Sequence, residues 1–135
     1  MENLINKKKI LVIDDDVNLN TVLVNKLNVS GYDVVGATGG EDGIKKALVF
    51  QPDIVLLDVI MPEMDGFEVL KRLRMDPWGK TAKVVMLTSI DQMDSIAKAM
   101  ESNVAGYLVK TNTGLDDIAA EVKNLLVNTV ATPNI

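Results

Sequence analysis

Short apolar runs recur along the chain in five places: Ile10 to Ile13, Val34 with Val35, Ile54 to Leu57, Val84 to Leu87, and Tyr107 to Val109. Each is of strand length and most are β-branched, which suits a pleated surface buried on both faces. Between and after them, apolar residues recur at helical spacing. The sets are Leu19, Val22, Leu23 and Leu27, then Ile44, Ala47 and Leu48, then Phe67, Leu70 and Leu73. Met93, Ile96, Ala97 and Met100 continue the series, and Ile118, Val122, Leu125 and Leu126 close it. The alternation predicts an α/β fold, a doubly wound (βα)₅ unit around a five-stranded parallel sheet, because single-helix crossovers join parallel strands and cover both faces. Turn residues agree: Gly31 ends the first helix, Pro52 precedes the third strand, Pro62 and Gly66 lead into the third helix, and Pro77 with Gly79 follows it. Thr113 with Asp116 three residues on has the form of a capping box for the last helix.

Composition narrows the chemistry more than the fold. A length of 135 residues with 47% hydrophobic content fits one domain, placed at residues 8–128 between a tail at 1–7 and a C-terminal tail or linker start at 129–135. The chain has no run of eighteen apolar residues, and the lysines of MENLINKKKI precede a run too short for a signal-peptide core. A soluble cytoplasmic protein without membrane association is the expectation. Cysteine and histidine are both absent. Their absence excludes thiolate nucleophiles, disulfides, imidazole ligation, Ser-His-Asp catalysis and a phosphohistidine on this chain, leaving carboxylates, lysines and hydroxyls. A net charge of −5 argues against direct nucleic-acid binding, which needs clustered Lys and Arg.

The remaining polar groups are not scattered. Ile13 is followed by Asp14, Asp15 and Asp16, Leu57 by Asp58, Leu87 by Thr88, and Val109 by Lys110. In a parallel sheet these strand ends share one edge, where open α/β sheets place their ligands. An Asp run after a strand is often only a solvated turn, Thr88 alone could cap a following helix, and Lys110 alone could be an ordinary surface lysine. Asp16 is assigned to the next loop or helix start. Together the others describe a site in which crowded carboxylates need a cation, and Mg²⁺ is the natural one because it prefers hard oxygen ligands and phosphate oxygens. An Asp carboxylate there can attack phosphorus while the metal, Lys and Thr stabilise the transferred oxygens. Phosphoryl transfer is the reaction class.

These residues carry a close resemblance to the receiver domain of two-component response regulators, the CheY-like group with a flavodoxin-like fold. The matching pieces are ILVIDDD, DIVLLDVIMPEMDG, VVMLTS and GYLVK, in that order, within a match from about Lys8 to about Val127. The resemblance implies that Asp58 is the phosphoacceptor. Asp14 and Asp15 are the acidic pair, Asp15 being favoured as direct metal ligand and Asp14 acting through water, with the Ile60 backbone carbonyl completing the protein ligands. Thr88 would bond the phosphoryl oxygen, Lys110 would pair with it, and Tyr107 would be the aromatic that reports activation together with Thr88. The cofactor implied is Mg²⁺, with Mn²⁺ as an alternative. The donor would be a histidine kinase or phosphotransfer protein, and the output face would comprise the fourth helix, fifth strand and fifth helix, facing an unknown downstream target or a second copy in a homodimer.

Other readings are weaker. GATGGEDG, from Gly36 to Gly43, imitates a dinucleotide-binding fingerprint, but one domain of this length has little room for that fold, and the glycines read as strand-to-helix turn punctuation. An aspartate-nucleophile phosphatase or phosphotransferase usually carries a DxD element, whereas the residue two past Asp58 is Ile60. A receiver-like interaction module that takes no phosphate is disfavoured by the full set of expected side chains. The chain is therefore expected to be a switch and not a turnover enzyme. Met93 and Met100 are expected in the core, and Trp78 as a packed loop residue. Two departures from the family pattern stand out. Thr111 follows Lys110 where receivers usually have proline through a cis peptide, so that peptide is either trans or held cis under strain. Ile60, and Ile90 two past Thr88, are apolar where the family often places polar groups that orient water, which predicts slow loss of phosphate.

Overall fold

A computed structural model describes residues 7–89, 103–110 and 114–128. The strands are β1 (Lys9–Ile13), β2 (Asp33–Ala37), β3 (Ile54–Asp58), β4 (Lys83–Thr88) and β5 (Gly106–Val109). The described helices are α1 (Val17–Val29), α2 (Gly40–Phe50), α3 (Gly66–Arg74) and α4 (Leu115–Asn128), with a 3₁₀ turn at Gly79–Thr81. All strand pairs are parallel, in the order β2-β1-β3-β4-β5. The five predicted strands are all present. Ile90, Met93, Ile96, Ala97, Met100, Thr111 and Thr113, and with them the fourth predicted helix, the capping box and the Lys110–Thr111 peptide, lie outside the described residues.

The strand order explains where the helices go. The chain leaves β1 for β2 on one side, then crosses back to β3, β4 and β5 on the other. A right-handed crossover in each direction puts α1 on one face of the sheet and α2 and α3 on the opposite one. Alternation along the strands sorts the core accordingly: Ile10, Val12, Ile54, Leu56, Val85 and Leu87 pack with Leu23 and Leu27 of α1 and Ile118 and Val122 of α4. Leu11, Ile13, Val55, Leu57, Val84 and Met86 pack with Ala47 of α2 and Val69, Leu70 and Leu73 of α3. Trp78 is partly buried against this second cluster, as a packed loop residue.

Two helix faces differ from the sequence expectation. Val22 is 44% exposed and Asn20 is buried beside Leu23 and Leu27 instead, so the inward stripe of α1 runs 20, 23, 27. On α2, Leu48 is exposed, and Gly40 and Gly43 take the inward positions with Ala47. Gly40 and Gly43 of GATGGEDG thus let α2 lie close against Met64, Val69 and Ile13.

Candidate phosphoryl-transfer site

Reversal of strand order beside β1 opens a crevice between the carboxyl ends of β1 and β3, and the polar residues identified above sit around it. Asp58 is the last residue of β3 and Thr88 the last of β4, while Asp14 directly follows β1 and Lys110 directly follows β5. The sheet edge holds these positions in register. The Asp14 N–H donates to the Ala37 carbonyl at 3.1 Å, extending the β1–β2 ladder by one residue, and the Val59 N–H donates to the Leu87 carbonyl at 2.9 Å beyond β3. Gly66 closes the loop after Asp58: its N–H donates to the Val59 carbonyl at 2.7 Å, and a methyl group at 66 would overlap the Asp58 carbonyl oxygen. Met61 is buried in the core and Met64 packs against it, so both methionines anchor this loop.

Carboxylate oxygens of Asp14, Asp15 and Asp58 all lie within 4.8 Å of one another. Asp14 and Asp58 are buried, and Asp15 is open to solvent. The Lys110 ammonium lies 3.0 Å from Asp14 Oδ2 and 3.4 Å from Asp58 Oδ1. Asp14 Oδ1 accepts the Asp16 N–H at 2.9 Å, but Oδ2, though its charge faces Lys110, receives no aligned hydrogen bond. Among the described residues, the one lysine in contact with the cluster is too little positive charge for three carboxylates. Burial, and then the charge of Asp14, push the Asp58 carboxyl up to about 7 despite the opposing pull of Lys110. Burial alone would depress the Lys110 ammonium, but its contacts with Asp14 and Asp58 outweigh burial and raise it. The donor set is oxygen only, crowded and under-neutralised, and so fits a hard divalent cation.

Asp16 stands apart from this cluster. Its side chain accepts the Leu19 N–H at 3.1 Å as the N-cap of α1, which specifies the assignment from sequence to the next loop or helix start. Thr88 is buried, with its hydroxyl 3.4 Å from the Ser89 carbonyl. Thr88 is paired with Val109, which brings it next to Lys110. The Ile60 side chain is 52% exposed beside the site, and Tyr107 lies on edge strand β5, 38% exposed. Asn20, which sequence reasoning passed over, reaches into the acidic loop from α1. The available signal was a polar residue on the 20, 23, 27 stripe of an otherwise apolar helix face.

Together the parallel sheet, its order and the acidic strand ends define a CheY-like receiver. The response regulator receiver domain family model matches residues 10–123, and the chain belongs to that family. It is 38% identical over 119 residues to the alkaline phosphatase synthesis transcriptional regulatory protein PhoP of Bacillus subtilis, covering 88% of this chain and 48% of that protein. It is 35% identical over 125 residues to the DNA-binding dual master transcriptional regulator RpaA of Synechocystis, covering 93% of this chain and 52% of that protein. The chain therefore spans about half the length of these relatives. Among solved structures, a two-component response regulator from Clostridium difficile superposes with a TM-score of 0.83 at 29% identity, covering 93% of this chain and 100% of that one. Vibrio cholerae chemotaxis protein CheY4 superposes with a TM-score of 0.82 at 27% identity, covering 89% of this chain and 99% of that one. Among the described residues, no helix is long and apolar enough to cross a membrane.

Proposed function

We propose that this receiver takes a phosphoryl group onto Asp58 from the phosphohistidine of a histidine kinase or phosphotransfer protein, in the cytoplasm, and acts as a switch instead of a turnover enzyme. The observation that carries this reading is the convergence of Asp14, Asp15, Asp58 and Lys110 within contact distance at one sheet edge. Asp14, Asp15, Asp58 and the Ile60 carbonyl would hold Mg²⁺, which when bound neutralises the carboxylates and the transferred phosphoryl oxygens. Mn²⁺ would serve in its place. An Asp58 oxygen attacks phosphorus, the new O–P bond forms as the N–P bond breaks, and the electron pair leaves with the donor imidazole. Lys110 pairs with a phosphoryl oxygen and the Thr88 hydroxyl donates to another. Both then draw inward, and Tyr107 on the adjacent edge strand relays the change to the output surface formed by the fourth and fifth predicted helices and β5. The receiver unit occupies residues 8–128, and its output partner is a downstream protein, a further domain or a second copy.

Incubation with acetyl phosphate and Mg²⁺ should add one phosphoryl group to the protein as an alkali-labile mass increment, lost in Asp58→Ala. A wild type that gains no mass, or an Asp58→Ala variant that gains it equally, would overturn the assignment.

A further inference from the structure

Asn20 is 5% exposed, and its Nδ2 lies 2.8 Å from the Ala37 carbonyl, 3.1 Å from the Asp14 carbonyl and 3.4 Å from the Val12 carbonyl. An amide nitrogen carries two hydrogens, so the two nearer carbonyls take them and Val12 shares more weakly. Burying an amide is costly unless it is bonded, and here it is bonded to backbone that surrounds the acidic pair. The Asp14 carbonyl and the Asp15 N–H belong to one rigid peptide plane. Holding that carbonyl fixes the direction in which Asp15 leaves the strand. The preceding peptide is held too, since the Asp14 N–H meets the same Ala37 carbonyl that Asn20 binds. On its other side the amide interlocks with β2: a methyl group at Gly36 would overlap Asn20 Oδ1 and come within 3.1 Å of Val24 Cγ2.

We propose that Asn20, seated against Gly36, is a positioning residue for cation binding, fixing the Asp14–Asp15 peptide so that both carboxylates face Asp58. The proposal rests on the divalent-cation reading of the site. Groups that orient metal ligands without touching the metal typically change affinity by about 10–100-fold when removed.

The test is calorimetric Mg²⁺ binding to the full chain, kept well below its unfolding temperature. Asn20→Leu keeps the size of the side chain but cannot donate, and should weaken Mg²⁺ about tenfold or more. Gly36→Ala keeps the amide but displaces it, and should weaken binding severalfold. Val122→Ala, on the buried face of α4 and outside the set of residues that bond the Asp14–Asp15 peptide, should lower thermal stability and leave Mg²⁺ affinity within about twofold. The positioning role is wrong if Asn20→Leu and Gly36→Ala both bind within about twofold of wild type, or if Val122→Ala weakens binding as much as they do. If Asn20→Leu does not fold, Gly36→Ala decides by the same criterion. A wild-type chain that binds no Mg²⁺ would instead overturn the cation site itself, and with it this role.

Discussion

At the scale of single residues, Asp58 couples the proposed chemistry to stability. Its carboxyl is raised to about 7 from 3.8, by burial first and by Asp14 second. A group whose folded pKa lies above its unfolded value contributes stability that is complete below the unfolded pKa and is lost as pH rises through the folded one. The metal-free protein should therefore lose on the order of a few kcal/mol between about pH 4 and pH 8 from this group. Urea unfolding in a chelator should show that loss in wild type and a smaller one in Asp58→Asn, and added Mg²⁺ should restore most at the alkaline end. Ile60 bears on the lifetime of the phosphorylated form. Its exposed side chain offers water neither a base nor a hydrogen bond. Ile60→Asn should shorten the half-life of the acyl phosphate severalfold, and equal or slower decay in the variant would refute the role assigned to this position.

At the scale of elements, the acidic run of the β1–α1 loop divides its labour. Asp14 and Asp15 turn toward Asp58, whereas Asp16 turns back to cap α1. Asp16→Ala should cost about 0.5–2 kcal/mol, the usual value of an N-cap, yet leave Mg²⁺ affinity unchanged. Chemical denaturation and calorimetry on the same preparation separate the two effects. Asp65 caps α3 in the same manner, accepting the Glu68 N–H at 2.9 Å. Each of these two caps thus closes a loop that leads from a site carboxylate into the next helix. Arg74, at the far end of α3, donates to the carbonyls of Gly79, Ala82 and Asn103, tying the turn before β4 to the approach into β5.

For the whole molecule, charge sets the terms of association. The net charge of −5 makes an acidic domain, while the relatives RpaA and PhoP, named as transcriptional regulators, are about twice its matched length. The chain alone should show no measurable binding to duplex DNA at physiological salt in a gel-shift or fluorescence titration, because a net charge of −5 opposes approach to the phosphates and binding relies on clustered Lys and Arg to release counterions. Tight binding would overturn this expectation.

Much of this architecture was legible in the order of residues. Strand-length apolar runs announced five strands, helical spacing announced the crossovers, and a polar residue after each of four runs placed Asp14, Asp58, Thr88 and Lys110 on one edge, because a parallel sheet puts all its carboxyl ends together. Local signals also set Asp16 apart from the metal cluster, at a loop or helix start, and the structure makes it the α1 cap. What periodicity could not reveal was which inward position would be filled by something other than an aliphatic side chain. Val22 and Leu48 read as core but face outward, and Asn20 and Gly43 face inward. Hydropathy ranks residues by their average preference, whereas burial at a given site depends on what lies opposite. Carbonyls at the ends of β1 and β2, each with room for a further donor, favour an amide, and close helix–sheet contact makes room for a glycine. Only the packed sheet, by bringing those carbonyls within reach of α1, decided that Asn20 belongs to the site.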